Sequence, residues 1–152
     1  MKILVDADAC PVKEILVGEA KRRGIPVIML IDTSHILNDG YSTVITVDQG
    51  CDSADFRLVN LIRPGDLVVT QDYGVAAVSL ARGARALNQN GLVYSNGNID
   101  RLLDERALGQ KIRRAGGRAG KNRKRGKADD EAFRRALVTL LDGGQTDGKD
   151  GS

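Results

Sequence analysis

Short apolar runs that stop abruptly on polar residues alternate along this chain with stretches of helical periodicity, and this alternation constrains the fold more than any other feature. The first run is Lys2-Ile3-Leu4-Val5, ended by Asp6, a pattern that suits a buried parallel strand. Pro11 fits a first helical position, and Val12, Ile15, Leu16, Glu19 and Ala20 follow at helical spacing until Gly24. Residues 26–31 make a second strand and complete a βαβ unit. A loop holding Thr33-Ser34-His35 and an Asn-Asp-Gly turn leads to a third strand, Ser42 to Val47. A second helix is predicted from Ser53 to Ile62, with Phe56, Val59 and Leu61 or Ile62 inward, bounded by Arg63-Pro64-Gly65. Asp66 to Thr70 reads as strand, Val75 to Arg82 as helix, and Arg85 to Leu87 as a short fifth strand. The repetition predicts an α/β fold of three layers, a mostly parallel central sheet flanked by helices.

Beyond Gly91 the pattern weakens. Leu92 to Tyr94 reads as a hairpin arm, Ile99 to Ile112 as a polar helix, and residues 113–127 as a mobile loop of Gly, Arg and Lys. Phe133, Leu137, Leu140 and Leu141 recur at helical spacing within Ala128 to Leu141. Residues 143–152 read as a disordered tail, so the expected organisation is a single domain over 1–142 that includes the basic loop. With 152 residues and 41% apolar content, such a domain can bury a core without disulfides or metal staples. Cys10 and Cys51 are read as reduced thiols, and the lack of any long apolar stretch gives a cytoplasmic expectation. A zinc site from Cys10, Cys51 and His35 would lack the usual ligand spacings.

Charge is unevenly spread. Of the 23 basic residues, nine lie between Lys111 and Lys127 with no acid among them, which leaves 14 to face all 20 acidic residues elsewhere. An acidic body with a basic arm points to a polyanionic partner met at the arm. Arg118, Lys121, Arg123, Lys124 and Arg125 are expected to contact phosphates without reading sequence. With no Trp, three Tyr and two Phe, the chain has no evident platform for stacking bases.

The acids cluster by position. Asp6 and Asp8 follow the first strand, Asp48 the third, Asp52 and Asp55 open the second helix, and Asp72 lies just past the fourth strand. Ligands in such sheets sit beyond the carboxyl ends of the strands, and converging aspartates supply the oxygen donors that magnesium or manganese prefers. Each acid also has a plainer reading: Asp52 as an N-cap, Asp55 as an acid in a first turn, Asp48 as a turn residue. Asp6 and Asp8 are harder to explain so, because only Ala7 separates them and Lys13 is the nearest cation in sequence. Bound metal would relieve their repulsion, and the chemistry that follows is metal-assisted phosphodiester hydrolysis.

The stretches D-A-D-A-C-P-V-K (6–13), D-Q-G-C-D-S-A-D (48–55), V-V-T-Q-D-Y-G-V-A (68–76), N-Q-N-G (88–91) and G-G-R-A-G-K-N-R-K-R (116–125) resemble the bacterial YaiI/YqxD family of PIN-like domain proteins. The likeness runs to about residue 142. It implies a PIN-like fold and a divalent-metal-dependent nuclease acting on nucleic acid, RNA ahead of DNA. Carried onto this sequence, the catalytic carboxylates would be Asp6, Asp8, Asp55 and Asp72, with Asp52 as a further metal ligand. Only Asp72 stands where PIN nucleases place one or two acids after the later strand.

Other residues in these stretches have two readings each. Lys13 could neutralise a substrate phosphate or pair with Asp8. Ser34 and His35 could touch substrate or be solvated loop residues. Cys10, near a helix N-terminus, could be an activated thiol or a small capping residue, and Gln71 and Tyr73 could orient water or simply pack. Two other functions fit parts of the pattern. A strand followed by D-x-D also opens haloacid-dehalogenase-like phosphatases, although their downstream Lys and paired acids have no clear counterpart. The other is a non-catalytic RNA-binding module.

Overall fold

A computed structural model of the chain describes residues 1–7, 10–32, 40–47, 53–104 and 125–142, with backbone alone for 32 and 53–56. The elements are β1 (Ile3–Asp6), α1 (Lys13–Arg23), β2 (Val27–Asp32), β3 (Thr43–Val47), α2 (Ser53–Leu61), β4 (Leu67–Val69), α3 (Tyr73–Ala81), β5 (Arg85–Leu87), β6 (Val93–Tyr94) and α5 (Lys127–Asp142). Before α5 lies α4, helical over the described residues 96–104.

The six strands form one sheet in the order β3-β2-β1-β4-β5-β6. All neighbours are parallel except β5 and β6, which pair antiparallel with Ala86 opposite Tyr94. Strand β1 is central. Ile3, Leu4 and Val5 sit against Val27, Ile28 and Met29 on one side and Leu67, Val68 and Val69 on the other. Strand alternation sends Ile3 and Val5 to one face and Leu4 to the other. On the first face they join Leu16 and Ala20 of α1 and Phe133, Leu137 and Leu140 of α5. Opposite, Leu4 and Val68 pack with Leu58, Ile62 and Val75, while Ala76, Ala86, Tyr94, Ile99 and Leu102 extend that layer over α4. The three-layer α/β arrangement expected from the alternation is therefore the one found.

Several boundaries move. Helix α1 starts at Lys13 rather than Pro11, since residues 11 and 12 form a turn and Val12 makes no side-chain cap. Gly24 ends it as predicted, in the left-handed conformation with its amide on the Ala20 and Lys21 carbonyls. Helix α2 turns Leu58 into the core, Ile62 just past its end is buried as expected, and Val59 and Leu61 are half-buried, so Leu58 rather than Val59 marks the inward face. Most of 113–127 lies outside the described residues, but Arg125 and Lys127 are ordered parts of the fold. The tail expected at 143–152 lies outside them too.

Two polar ties hold the frame. Asp66, 4% exposed, accepts from the Lys2 ammonium at 2.6 Å and from the amides of Lys2 and Arg63 at 3.2 and 2.9 Å, fixing the loop before β4 to the start of β1. Burial pushes its carboxyl up, but those donors outweigh burial and leave it below the usual carboxylate range. Between α1 and α5, buried Glu19 pairs with Arg23 at 2.7 Å and Arg134 at 3.5 Å, and Arg23 meets Asp142 at 2.6 Å. Gly91 brings a loop against the same helix: a Cβ there would lie 2.6 Å from the Ala132 carbonyl oxygen, and its φ is +91°, so both space and conformation call for glycine.

The Arg23 hydrogen bond lowers Glu19 from its ordinary value of 4.5. A depressed carboxyl contributes stability that is present above its unfolded pKa and lost as pH falls through the folded one. Urea unfolding from pH 7 down to 3 is expected to show that loss below about pH 4.5, and Glu19→Gln to flatten this acid limb while lowering stability at pH 7.

Candidate functional site

The strand order reverses direction at β1: β2 and β3 extend one way and β4 and β5 the other. The loops after β1 and β4 therefore part at their carboxyl ends and leave a crevice, the usual ligand position in open α/β sheets. Asp6 is the last residue of β1, half-buried, on the Leu4 side of the sheet. It lines a small cleft with Cys10, Val69, Thr70, Gln71 and Gln89. The space inside is about 10 Å³, about the room of one water.

Asp72 closes the loop after β4. Its Oδ1 accepts from the Gly74 and Val75 amides at 2.8 and 3.1 Å, so it caps α3. Its own amide donates to the Thr70 hydroxyl at 3.0 Å. Thr70 is in turn fixed by its amide on the Leu87 carbonyl and by the Tyr94 hydroxyl, which donates to the Thr70 carbonyl at 3.2 Å. Burial raises the Tyr94 phenol, with Tyr73 and Asp72 adding to the rise, which keeps it a neutral donor. The Tyr73 ring meets Tyr94 edge-on at 5.9 Å, so Tyr73 packs.

The cations expected here are present in different roles. Lys13 opens α1 and points its ammonium back to the Ala7 carbonyl at 3.2 Å, beside the end of β1. Arg125 donates to the Gln89 carbonyl at 2.5 Å, Asn90 Oδ1 at 2.6 Å and Asp130 at 2.7 Å. It is thus bound to the N-Q-N-G loop rather than held out on a free arm. Asn88 shapes that loop by accepting the Asn90 and Leu92 amides. The Gln71 side-chain amide donates to Gln89 Oε1.

Burial decides between the two readings of Cys10. It lies before the start of α1 and is 6% exposed, and burial pushes its thiol up. The Val12 amide and the charges of Lys13 and Arg125 oppose the rise and Asp6 adds to it. This is not an activated thiol.

Of the predicted site residues, Asp6 lines the cleft, Asp72 caps α3 in the loop that also carries Gln71, Lys13 reaches the Ala7 carbonyl, and Arg125 holds the loop that carries Gln89. Asp55 falls in the first turn of α2, which begins at the same edge of the sheet. Asp8, Ser34, His35, Asp48, Asp52, Arg118, Lys121, Arg123 and Lys124 lie outside the described residues. Sequence reasoning missed Gln89 and Asn90 as parts of the crevice; the cue was a polar turn directly after a strand that ends at the same edge.

A magnesium or manganese ion would meet suitable oxygen donors in Asp6 and Asp72. Among the described residues, however, no three His, Cys, Asp or Glu side chains form a group able to hold a metal.

The geometry defines a class: a three-layer α/β protein with an acid-bearing crevice where its sheet reverses. The chain belongs to the YaiI/YqxD family, whose description "Uncharacterized BCR, YaiI/YqxD family" matches residues 4–143. A UPF0178 protein of Ruminiclostridium cellulolyticum is 68% identical over 141 residues, covering 93% of this chain and 92% of that one. Another from Alkaliphilus oremlandii is 52% identical over 142 residues, with 93% and 92% covered. Among solved structures, Rae1 (YacP) from Bacillus subtilis aligns over 98% of this chain and 99% of its own, at 19% identity and a TM-score of 0.44. Among the described residues, no helix is long and apolar enough to cross a membrane.

Capping and charge can be separated at Asp72. Asn caps about as well as Asp, whereas Ala forfeits about 1 kcal/mol. Asp72→Ala is expected to lower the urea midpoint and Asp72→Asn to leave it nearly unchanged, so a loss of function in Asp72→Asn reports on the carboxylate itself.

Proposed function

We propose that this protein is a divalent-cation-dependent phosphodiesterase acting on nucleic acid, with RNA the expected substrate. The observation that carries the reading is the placement of Asp6 and Asp72 at the ends of the two strands that flank the sheet's reversal, with Lys13 at the rim. Asp6 and Asp72, completed by Asp8, Asp52 and Asp55, would hold the magnesium or manganese ion. When bound, such an ion supplies positive charge to a scissile phosphate and lowers the pKa of a coordinated water.

The chain's own groups would do the rest. The Ala7 carbonyl holds the Lys13 ammonium beside the end of β1, where it can neutralise a phosphate oxygen. Thr70 and the capped α3 amides keep Asp72 fixed, so its carboxylate need not reorganise on binding. The basic run from Lys111 to Lys124 supplies sequence-independent attraction for the polyanion.

Cleavage of a single-stranded RNA with manganese present is expected to fall by at least roughly 100-fold in Asp6→Asn, since a lost metal ligand removes several kcal/mol of transition-state stabilisation. Full activity in that variant overturns the reading. Binding with no cation-dependent cleavage by the wild-type protein would favour the non-catalytic module. Lys13→Ala is expected to reduce the slope of log affinity against log salt by about 0.7, the share of one phosphate contact on a single strand.

A further inference from the structure

The two margins of the sheet are finished in different ways. At one margin, Asn88 donates to the Leu92 carbonyl and Ala86 pairs with Tyr94, so Leu92 and Tyr94 face β5 and Val93 turns its backbone outward. The Val93 carbonyl is taken by Asn98 Nδ2 at 3.0 Å, and Asn98 Oδ1 accepts the Ser95 amide at 2.9 Å. A side chain of α4 thus closes that margin.

The other margin is β3. No proline or charged residue occurs from Gly40 to Val47, and no bulge breaks the register of Thr43–Val47 on β2, although such devices are what keep edge strands from pairing. Which groups the strand offers follows from the ladder. Ile3 and Ala7 donate to the Pro26 and Leu30 carbonyls, so even-numbered residues of β2 face β1 and odd-numbered ones face β3. With Met29 opposite Val44 and Ile31 opposite Thr46, Thr43, Ile45 and Val47 bond to β2, while Val44 and Thr46 turn their N–H and C=O groups outward. Among the described residues, nothing bonds to those outward groups. The side chains agree. Ile45 packs on the Leu4 face and Val44 on the Val5 face, each only half-buried, and Thr43 and Thr46 are exposed.

From this we infer that β3 is the interface through which two copies of this chain associate, edge to edge about a two-fold axis through Ile45. The strand itself argues for that occupant. Pairing with β6 of another copy, which would build an open filament, is blocked by the Asn98 bond to Val93. Antiparallel self-pairing sets Val44 opposite Thr46 of the second copy and Thr46 opposite Val44, and each such pair exchanges both of its N–H···O bonds. Every outward group of the two residues is then satisfied. Ile45 faces Ile45 of the second copy across a pair without hydrogen bonds, where side chains come closest, and an uncharged strand brings no repulsion to that meeting. The axis reverses strand direction, so the two acid-bearing crevices open at opposite ends of the joined sheet. The association therefore stands apart from the phosphodiesterase reading, and neither depends on the other.

Sedimentation equilibrium of the full chain, from nanomolar to submillimolar concentration, is expected to show a reversible equilibrium between monomer and dimer with no larger species. Hydrogen exchange over the same dilution series reads the edge directly. The Val44 and Thr46 amides should become protected as the dimer forms, whereas the Ile45 amide, bonded to β2 in either state, should change far less. In Thr46→Pro the N–H lost is an outward one, which an edge strand tolerates. The monomer keeps its ladder while the dimer loses one hydrogen bond from each copy, so the dissociation constant is expected to rise roughly 30-fold. If the urea midpoint shows that Thr46→Pro unfolds, Ile45→Lys and Ile45→Glu take its place: each alone should be monomeric, and an equimolar mixture should associate.

A chain that is monomeric throughout overturns the inference, as does growth to larger species or a dimer that Thr46→Pro, or either Ile45 variant alone, leaves intact. Protection of the Val44 and Thr46 amides that does not vary with concentration overturns it too, because another part of the same chain would then cover the edge.

Discussion

Strand β1 is hydrogen-bonded on both edges and buried on both faces, and much else follows from that position. Because β2 and β4 flank it, its last residue is the point at which the sheet changes direction, and a carboxylate placed there cannot retreat into a neighbouring loop. Ile3, Leu4 and Val5 are fully buried, so the strand cannot slip by a residue without turning Leu4 and Asp6 to the wrong face. Lys2 fixes the other end through Asp66. The position of Asp6 is therefore set by the core rather than by the loop that follows it.

Much of this frame was legible in sequence because burial writes itself as pattern. Runs such as Ile3-Leu4-Val5 and Leu67-Val68-Val69 are apolar throughout, as strands covered on both faces must be, and Phe133, Leu137 and Leu140 mark one face of α5 by their spacing. The error in α2 has a simple cause. Its apolar residues are close enough together that two adjacent faces look equally suitable, and only the packing of Leu58 on β1 and β2 decides between them. The start of α1 was misplaced because Pro11 suits a turn as well as a first helical position.

The crevice was half legible. An acid directly after a buried strand is a local signal, and Asp6 and Asp72 both carried it. Gln89, Asn90 and Arg125 did not, because their part depends on contacts between residues about 35 positions apart that no periodicity records. Arg125 shows the limit clearly: in a run of Lys and Arg it looks like one more solvated cation, and only the fold reveals that each nitrogen of its planar fork makes a hydrogen bond. Asp72 shows the complementary point, since one carboxylate both caps a helix and borders the crevice. The cap fixes the position that any chemistry would use.

Helix α5 brings Phe133, Leu137 and Leu140 into the same cluster as β1 and α1. The two ends of the described chain thus complete one another's core. During synthesis, β1 and α1 leave the ribosome more than a hundred residues before the side chains that cover them, so a nascent chain carries an open apolar face until α5 has emerged. Protein made without α5 should thus be a client for chaperones rather than a smaller folded domain.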